Sequence, residues 1–294
     1  MNRKAIAAFL ALALCALAFF GCAPKLPADA IGDILNNAAS LGGGSSNGSP
    51  SGGGDSGSPG SPTHSSDGLQ SITDIVDEWS RLSSLHEEAV NGYDNVDKMF
   101  LPLQLVGPEL TLAMIAQYDL LNFNNDNGRF DGTLMLSGHP AFEERNGARI
   151  VFGSDYTVPD DGNTYSYEPG DRLVENGEAD LSKAWLKSED TVERDGKKIS
   201  RTYIEVIKMG DGGMALLYLS GRVNDGDPVT DAVFLRISEG AYEYVVASSG
   251  AGEDFDILSL GNGFDKAQAL SLLQGAGYTV TESGSDVNGK LVAD

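Results

Sequence analysis

Residues 199–248 carry the sequence ISRTYIEVIKMGDGGMALLYLSGRVNDGDPVTDAVFLRISEGAYEYVVAS, which decides the fold class. Four runs rich in β-branched and aromatic residues alternate there with short turns that contain glycine. The runs are residues 199–209, 214–223, 231–238 and 241–248. Consecutive strands joined by such short turns pair as antiparallel neighbours, whereas parallel strands need a long crossover connection. The stretch therefore predicts an antiparallel meander.

Two helices are predicted before the strands begin. Ser71 is placed to cap a helix that starts near Ile72. Apolar residues recur at helical spacing from there to about Val90. A second, largely apolar helix is predicted to start after Pro108, because proline suits the first helical turn, and to run to about residue 121. After this second helix the pattern changes to strands.

Further turn signals divide the rest of the strand region. Asn-Gly at residues 176–177 predicts a turn, and Trp185 is expected in a strand that ends before the polar residues 188–195. Residues 266–274 predict a helix, and a strand follows from Tyr278. The whole pattern predicts one α+β domain. Two N-terminal helices pack on an antiparallel β-meander, which forms a curved sheet or half-barrel, and a short C-terminal helix and strand complete the domain.

The charge of the chain limits its partners. Its 294 residues include 20 Lys plus Arg and 43 Asp plus Glu, which gives a net charge of −23. Such a field repels phosphate backbones and excludes nucleic acid as a partner. It also opposes docking on anionic lipid headgroups through basic contacts. Because 41% of the residues are hydrophobic, the chain can still bury a substantial core.

The first 22 residues have the anatomy of a secretory signal. Arg3 and Lys4 form a positive start, and residues 5–21 are all apolar or small. This run is shorter than the roughly 20 residues that a membrane-spanning helix needs. It ends in Phe19-Phe20-Gly21-Cys22, which resembles the lipobox of bacterial lipoproteins. The resemblance implies that Cys22 is lipidated and becomes the first residue after cleavage.

Two other outcomes at this end stay open. Residues 16–18 read Ala-Leu-Ala, an ordinary cleavage signal that would release a soluble protein, or the apolar run could remain as an anchor. Cys15 and Cys22 are the only cysteines. The exported domain therefore has no free thiol, and disulfides, a cysteine nucleophile and cysteine-based zinc sites are excluded.

A segment of low complexity follows the signal. Of the 27 residues at 42–68, 22 are Gly, Ser or Pro, a composition typical of a flexible linker. The predicted organisation is a lipoprotein signal peptide at 1–21, the lipidated Cys22 with its tether at 22–68, and a single acidic domain at 69–294. That domain holds 39 of the acidic and 17 of the basic residues, so its own net charge is −22.

Several polar clusters of the domain are candidate sites. His86 and His139 are its only histidines, too few for a histidine-rich metal centre, and the position of His86 beside an apolar helix face favours a structural role. Residues 124–131 are rich in Asn and Asp, but apolar residues would stand at two ligand positions of a calcium loop. An Asx-rich turn is therefore expected there. The acids at 253–256 could hold a weak divalent cation, although solvated charge is favoured.

Adjacent carboxylates are also present, at Glu143-Glu144 and at residues 160–161. Adjacency in sequence does not show that two carboxyls face each other across a cleft, which a glycosidase needs. Gly-Asn-Gly at 261–263 could bind an anion, but capping of the last helix explains it more simply. No catalytic, cofactor-binding or metal-binding residue is predicted, and Cys22 is the one predicted site, a lipidation site.

Helices followed by a long meander in a lipid-anchored protein resemble the half-barrel lipoproteins of the LolA and LppX type, in which a curved sheet wraps a helix and cradles acyl chains. We expect a non-enzymatic lipoprotein without a cofactor, anchored to the membrane on the extracytoplasmic side of the bacterial cell envelope. There it would bind an unknown protein, lipid or cell-wall ligand. A lipid or hydrophobic-ligand carrier with a half-barrel cavity is one alternative, and a carboxylate-dependent envelope hydrolase is another.

Overall fold

The computed structural model describes residues 68–90, 101–160, 167–224, 227–249, 265–287 and 290–293. The helices of these residues are α1 (Ile72–Val90), α2 (Leu101–Ala116) and α3 (Lys266–Gly275), with 3₁₀ helices at Gln117–Leu120 and Leu181–Lys183. The strands are β1 (Gly128–Thr133), β2 (Pro140–Asn146), β3 (Arg149–Thr157), β4 (Arg172–Asp180), β5 (Trp185–Arg194), β6 (Lys197–Lys208), β7 (Met214–Asn224), β8 (Asp227–Ser238), β9 (Ala241–Ser249), β10 (Thr279–Val287) and β11 (Lys290–Ala293).

The strands form one antiparallel sheet of eleven strands, in which each strand pairs with the next one along the chain. The prediction of an antiparallel meander is therefore confirmed. Its hairpins use the turn residues that the geometry demands. Between β5 and β6, Asp195 and Gly196 have φ values of 52° and 74°, which suit the type I′ turn of a two-residue hairpin.

Side-chain caps fix the start of two helices. At α1, Ser71 Oγ accepts a hydrogen bond from the Asp74 backbone at 3.1 Å, and Asp74 Oδ2 accepts one from the Ser71 backbone at 3.0 Å. Asp265 and Gln268 form the same reciprocal arrangement at the start of α3. Each capping box satisfies two backbone N–H groups that have no partner within the helix.

Helices contact both faces of the sheet, which we call the α1 face and the α3 face. The core on the α1 face contains Trp79 of α1 together with Phe152, Leu216, Leu235 and Tyr244 of the strands. The core on the α3 face contains Ala269 and Leu273 of α3 together with Tyr203, Leu217, Phe234 and Val245. Because α3 packs mainly on β8, β9 and β10, it leaves much of the α3 face of the earlier strands uncovered among the described residues.

The predicted start of α2 is wrong. The helix begins at Leu101, and Pro108 lies inside it. Apolar residues continue on both sides of the proline, and Leu112 and Ile115 are each only 1% exposed. We attribute the difference to this packing, which outweighs the backbone hydrogen bond that proline removes. The α-helix also ends earlier than predicted, at Ala116, where a 3₁₀ helix takes over.

The turn predicted at residues 176–177 is also wrong, because both lie inside β4. A Cβ atom added to Gly177 would stand 2.0 Å from the ring of Phe152 on the neighbouring strand. Glycine is therefore required where the aromatic ring crosses β4. The glycine marks a close approach within the sheet, and the sequence pattern alone does not distinguish this from a turn.

The strand that holds Trp185 continues to Arg194, so the prediction that it ends before residue 188 is wrong. Its polar residues have polar neighbours in the sheet. Asp190 lies opposite Glu175 of β4 and opposite Thr202 of β6. Polar side chains can occupy a strand interior when their cross-strand partners are polar as well.

Among the described residues, no helix combines the length and the apolar character needed to cross a membrane.

Candidate functional site

Several of the residues considered from the sequence lie outside the described part of the chain. These are Cys22, the acids at 253–256 and the Gly-Asn-Gly stretch at 261–263. The backbone of His86 belongs to α1, but its side chain is not among those described. Lipidation at Cys22 stays a prediction.

His139 occupies a structural position beside the sheet. Its ring stacks on the ring of Tyr156, with centroids 4.2 Å apart. Burial lowers the pKa of this imidazole below its ordinary value. Among the described residues, no group of three or more His, Cys, Asp or Glu side chains is arranged to hold a metal ion.

The Asx-rich segment before β1 is a turn, as predicted, and its amides hold neighbouring backbone. Asn122 Oδ1 accepts a hydrogen bond from the Asp126 backbone at 3.0 Å. Asn125, which has a φ of 57°, accepts one from the Arg145 guanidinium at 2.8 Å. Asn127 accepts one from the Gly147 backbone at 2.7 Å. These oxygens bind protein groups and are not arranged as a calcium loop.

The adjacent carboxylates Glu143 and Glu144 do not form a pair, since successive strand residues face opposite sides of the sheet. Glu144 is exposed, whereas Glu143 is only 1% exposed on the α1 face. Asn122 donates a hydrogen bond to Glu143 Oε1 at 2.9 Å, and burial raises the pKa of this carboxyl. Its Oε2 atom has no partner among the described residues. The two acids therefore cannot act together on one substrate.

A groove crosses strands β2 to β6 on the α3 face. It has a volume of about 390 Å³, within the range of small-molecule sites. Its lining includes Phe142, Val151, Asn176, Trp185, Lys187 and Glu189. An adjoining hollow over β1 to β4 shares Phe142 and Asn176 with it. Glycine is required at position 153 in this hollow, because a Cβ atom there would stand 2.5 Å from the Glu175 carbonyl oxygen and 3.2 Å from the Phe142 ring.

The charges in the groove are paired within the protein. Glu178 contacts Arg149 at 3.1 Å and Lys187 at 3.8 Å. Glu189 contacts Arg201 at 2.7 Å. The groove is therefore close to neutral, although the domain as a whole carries a net charge of −22.

The adjoining hollow shows the same pairing. Arg172 contacts Asp155 at 2.6 Å, and Arg129 contacts Asp131 at 2.9 Å. Hydrogen bonds from Arg172 hold the pKa of the Asp155 carboxyl below its ordinary value. The Arg129 guanidinium also lies 4.0 Å from the centroid of the Phe142 ring, a favourable cation–π distance. The surface thus offers paired donors and acceptors beside an aromatic ring.

Glu205, which is 1% exposed, orients the two aromatic residues at the other end of the groove. Its Oε1 accepts a hydrogen bond from Trp185 Nε1 at 2.7 Å, and its Oε2 accepts one from the Tyr203 hydroxyl at 2.9 Å. The Lys187 ammonium lies 5.4 Å from the centroid of the Trp185 ring. The indole is therefore held in a fixed orientation at the groove wall by a buried carboxylate.

The opposite, α1 face contains a row of oxygen-bearing side chains. Eight successive strands, β3 to β10, place one such residue each at matching register positions. The members are Ser154, Glu175, Asp190, Thr202, Ser220, Asp231, Ser248 and Thr279. Glu175 Oε2 accepts a hydrogen bond from the Tyr118 hydroxyl at 2.9 Å, and its Oε1 accepts one from Ser188 at 3.1 Å.

Glu175 and Asp190 are directly opposite each other in this row. Burial and the neighbouring Glu175 raise the pKa of Asp190 to about 7. Burial likewise raises the pKa of Glu175, although the hydrogen bonds from Tyr118 and Ser188 act against it. Two carboxyls in these positions favour holding a proton near neutral pH.

Comparison with known proteins gives no relatives for this chain. No protein-family model matches it, and no curated protein or solved structure is significantly similar to it. The function is therefore argued from the geometry described above.

Sequence reasoning missed both the groove and the carboxyl pair. The groove residues come from five strands, and Trp185 and Phe142 are far apart in the chain. Glu175 and Asp190 are 15 positions apart and meet only through the register of β4 and β5. Asp190 belongs to the polar run 188–195 that the sequence shows, but its partner Glu175 could be found only by knowing that this run continues the strand.

Proposed function

We propose that this chain is a membrane-anchored bacterial lipoprotein of the cell envelope whose tethered domain binds an extended, uncharged ligand of the glycan class in the groove on the α3 face. The anchor and the tether rest on the sequence of residues 1–68. The domain acts as a binding module without catalysis. The single observation that carries the ligand class is a self-neutralised groove with an oriented indole on a strongly acidic domain.

The chemistry of the groove suits a polymer of hydroxyl groups. Each hydroxyl both donates and accepts hydrogen bonds, and the groove presents acceptors on Glu189, donors on Lys187 and both on the Asn176 amide. The apolar faces of a sugar ring would contact Trp185 and Phe142, because aromatic side chains provide rigid apolar area. The groove runs across the strands, so the ligand contacts side chains and adds no strand to the sheet.

We also propose that the sheet curves around α1 as a half-barrel. Trp79 of α1 belongs to one buried cluster with residues from β3 to β9, such as Phe152 and Tyr244. α1 itself packs on β5 and β8, and a helix that contacts strands this far apart fits most readily against a curved sheet. The rings of Trp79, Tyr242 and Tyr244 are fully buried, so they fill this interface where it is described, which does not favour lipid carriage there.

The hydrolase alternative draws on Glu175 and Asp190. Both oxygens of Glu175 accept hydrogen bonds from protein groups, Tyr118 and Ser188. Glu175 lines the hollow that adjoins the groove, but Asp190 lines neither the hollow nor the groove. The geometry therefore favours binding over hydrolysis.

The groove contains its own fluorescent reporter. The chain has two tryptophans, and the Trp79→Phe variant would leave Trp185 as the only one. We expect a saturable change in Trp185 emission when neutral chito-oligosaccharides or wall-derived glycan fragments are added. The Asn176→Ala substitution should raise the dissociation constant obtained from this titration about tenfold, the loss of affinity expected from removing one polar contact.

Asn146→Ala provides the matched control, since Asn146 is also exposed on a strand and does not line the groove. Unchanged emission across the glycan panel would contradict the proposed ligand class, as would equal weakening by both asparagine substitutions. The anchor is tested separately by palmitate labelling. Labelling that persists in the Cys22→Ala variant would contradict lipidation at that residue.

A further inference from the structure

Four large apolar side chains are exposed on two segments near β1. They are Leu120, Phe123, Met135 and Leu136, with exposed fractions of 50%, 84%, 70% and 58%. Single exposed apolar residues are ordinary, but a group of them marks an interaction surface. Among the described residues, the one other large apolar side chain with comparable exposure is Leu85. We call the four residues the loop patch.

The two segments of the loop patch lie side by side. The backbone N–H of Leu136 donates a hydrogen bond to Gln117 Oε1 at 3.2 Å, which joins the β1–β2 loop to the 3₁₀ helix that carries Leu120. A Cβ atom added to Gly132 would lie 2.7 Å from the Leu121 side chain. The end of β1 therefore packs against the segment between Leu120 and Phe123, and the patch is formed by neighbouring surfaces.

The chain enters the domain beside this patch. The Asp119 carboxylate accepts hydrogen bonds from the backbone N–H groups of Ile72 at 3.1 Å and Thr73 at 2.6 Å. Leu120 is the next residue after Asp119. The first turn of α1, where the predicted tether of residues 22–68 ends, is thus bonded to the segment that carries the patch. The proposed anchor is therefore connected to the domain at this point.

Charge attraction does not explain the patch. The arginines of the adjoining strands β1 and β2 bind protein groups: Arg129 contacts Asp131, and Arg145 donates to Asn125 and to the Gln70 carbonyl. The domain carries a net charge of −22, which repels anionic headgroups. A partner for the patch must therefore attract it through apolar contact.

We propose that the loop patch inserts its apolar side chains into the surface of the membrane to which the chain is anchored. This inference rests on the proposed lipid anchor. The predicted tether comprises the 46 residues that follow Cys22. A flexible Gly-rich chain of that length would have an r.m.s. span of roughly 35–40 Å, which would let the domain both rest on the bilayer and extend away from it. Apolar insertion favours the docked state, and the negative charge of the domain opposes it.

The opposition of these two effects gives docking an unusual dependence on salt. Peripheral proteins that bind through basic patches leave the membrane when salt is raised. Here added salt screens the repulsion and leaves apolar contact in place. The docked fraction is therefore expected to rise with salt, and to fall when anionic lipid is added at low salt.

The test uses the mature, lipidated chain in phosphatidylcholine vesicles with or without phosphatidylglycerol. A Phe123→Cys variant carries one free thiol for a spin label, because Cys15 leaves with the signal and Cys22 is acylated. We expect this label to collide with oxygen more than with a water-soluble nickel complex. The difference should increase from 0.05 to 0.5 M salt, because the Debye length shortens from roughly 14 Å to roughly 4 Å over that range. The Glu239→Cys label, on the β8–β9 turn, is the control and should stay accessible to the nickel complex.

A second variant separates the patch from the position of the label. With the label at Leu120→Cys, adding Phe123→Ser and Met135→Ser should lower the ratio of docked to free domain at least about tenfold. Both serines replace exposed side chains, so the fold should persist. A Phe123 label that stays in water at every salt concentration would overturn docking. If the chain sediments with vesicles in that case, the anchor holds and this inference alone is wrong; if it does not sediment, the proposed anchor itself is wrong.

Discussion

Replacing Asp190 by asparagine should change how the stability of the domain depends on pH. Asp190 lies opposite Glu175 on the α1 face, and its pKa is about 7, compared with 3.8 for an ordinary aspartate. Between these two values the folded chain holds a proton that the unfolded chain has released. The contribution of Asp190 to the free energy of unfolding is therefore largest at acid pH and decreases as the pH rises toward 7.

The size of this effect follows from the two pKa values. Each pH unit within the window changes the free energy of unfolding by about 1.4 kcal/mol, which gives about 4 kcal/mol across the whole window. About two pH units of this window lie above pH 5, which gives a decrease of roughly 2–3 kcal/mol between pH 5 and pH 8. Asp190 keeps some solvent exposure, so we expect a value at the lower end of this range. The Asp190→Asn variant has no proton to lose at this position, and its curve should lack this part of the decrease.

Urea unfolding at pH 5, 6, 7 and 8 would measure both curves. The wild-type domain should lose stability relative to Asp190→Asn as the pH rises, so that the variant is the more stable of the two at pH 8. Asp231→Asn is the matched control, because Asp231 belongs to the same row but is exposed. Parallel curves for the wild type and Asp190→Asn would refute the reasoning, since the general repulsion within an acidic domain affects both alike.

Three further substitutions test individual contacts by urea unfolding. Gly177→Ala should destabilise the domain by about 1–3 kcal/mol through its clash with Phe152; Phe152→Leu should then restore part of the loss, and simple additivity of the two changes would contradict the contact. Asp119→Ala should cost about 1–2 kcal/mol by removing the acceptor at the start of α1, and no loss would show that water replaces it. Glu143→Gln should be neutral or stabilising at pH 8, because Gln keeps the acceptor for Asn122 and removes a buried charge; a loss above about 1 kcal/mol would contradict this.

The strands that could be predicted from sequence are those whose signals are local. Residues 199–248 alternate in polarity and have glycine at their turns, so each hairpin is specified by residues close to it in the chain. The start of α1 belongs to the same class, because Ser71 and its partner are one helical turn apart. A meander needs little more than this, since every strand pairs with the next one.

The parts that could not be predicted depend on residues distant in the chain. Gly177 looks like a turn residue until the Phe152 ring is placed over it. Asp190 looks like the end of a strand until Glu175 and Thr202 are found beside it. Pro108 looks like a helix start until the packing of α2 is known. In each case the local preference is weak, and a tertiary contact of one or a few kcal/mol decides the outcome.

The distribution of positive charge in the domain links the two proposals. Five basic residues on the α3 face of β1 to β6 contact an acid there, namely Arg129, Arg149, Arg172, Lys187 and Arg201. Their pairing removes most of the local field from the groove, whereas the domain as a whole remains strongly negative.

A glycan bound in that groove would exchange few counterions, so its affinity should change little with ionic strength. Docking of the loop patch works against the full charge of the domain and should strengthen with salt. One salt titration that follows both Trp185 emission and the Phe123 label therefore separates the two activities. The two signals should respond differently to salt. If both respond in the same way, a single surface and not two is responsible.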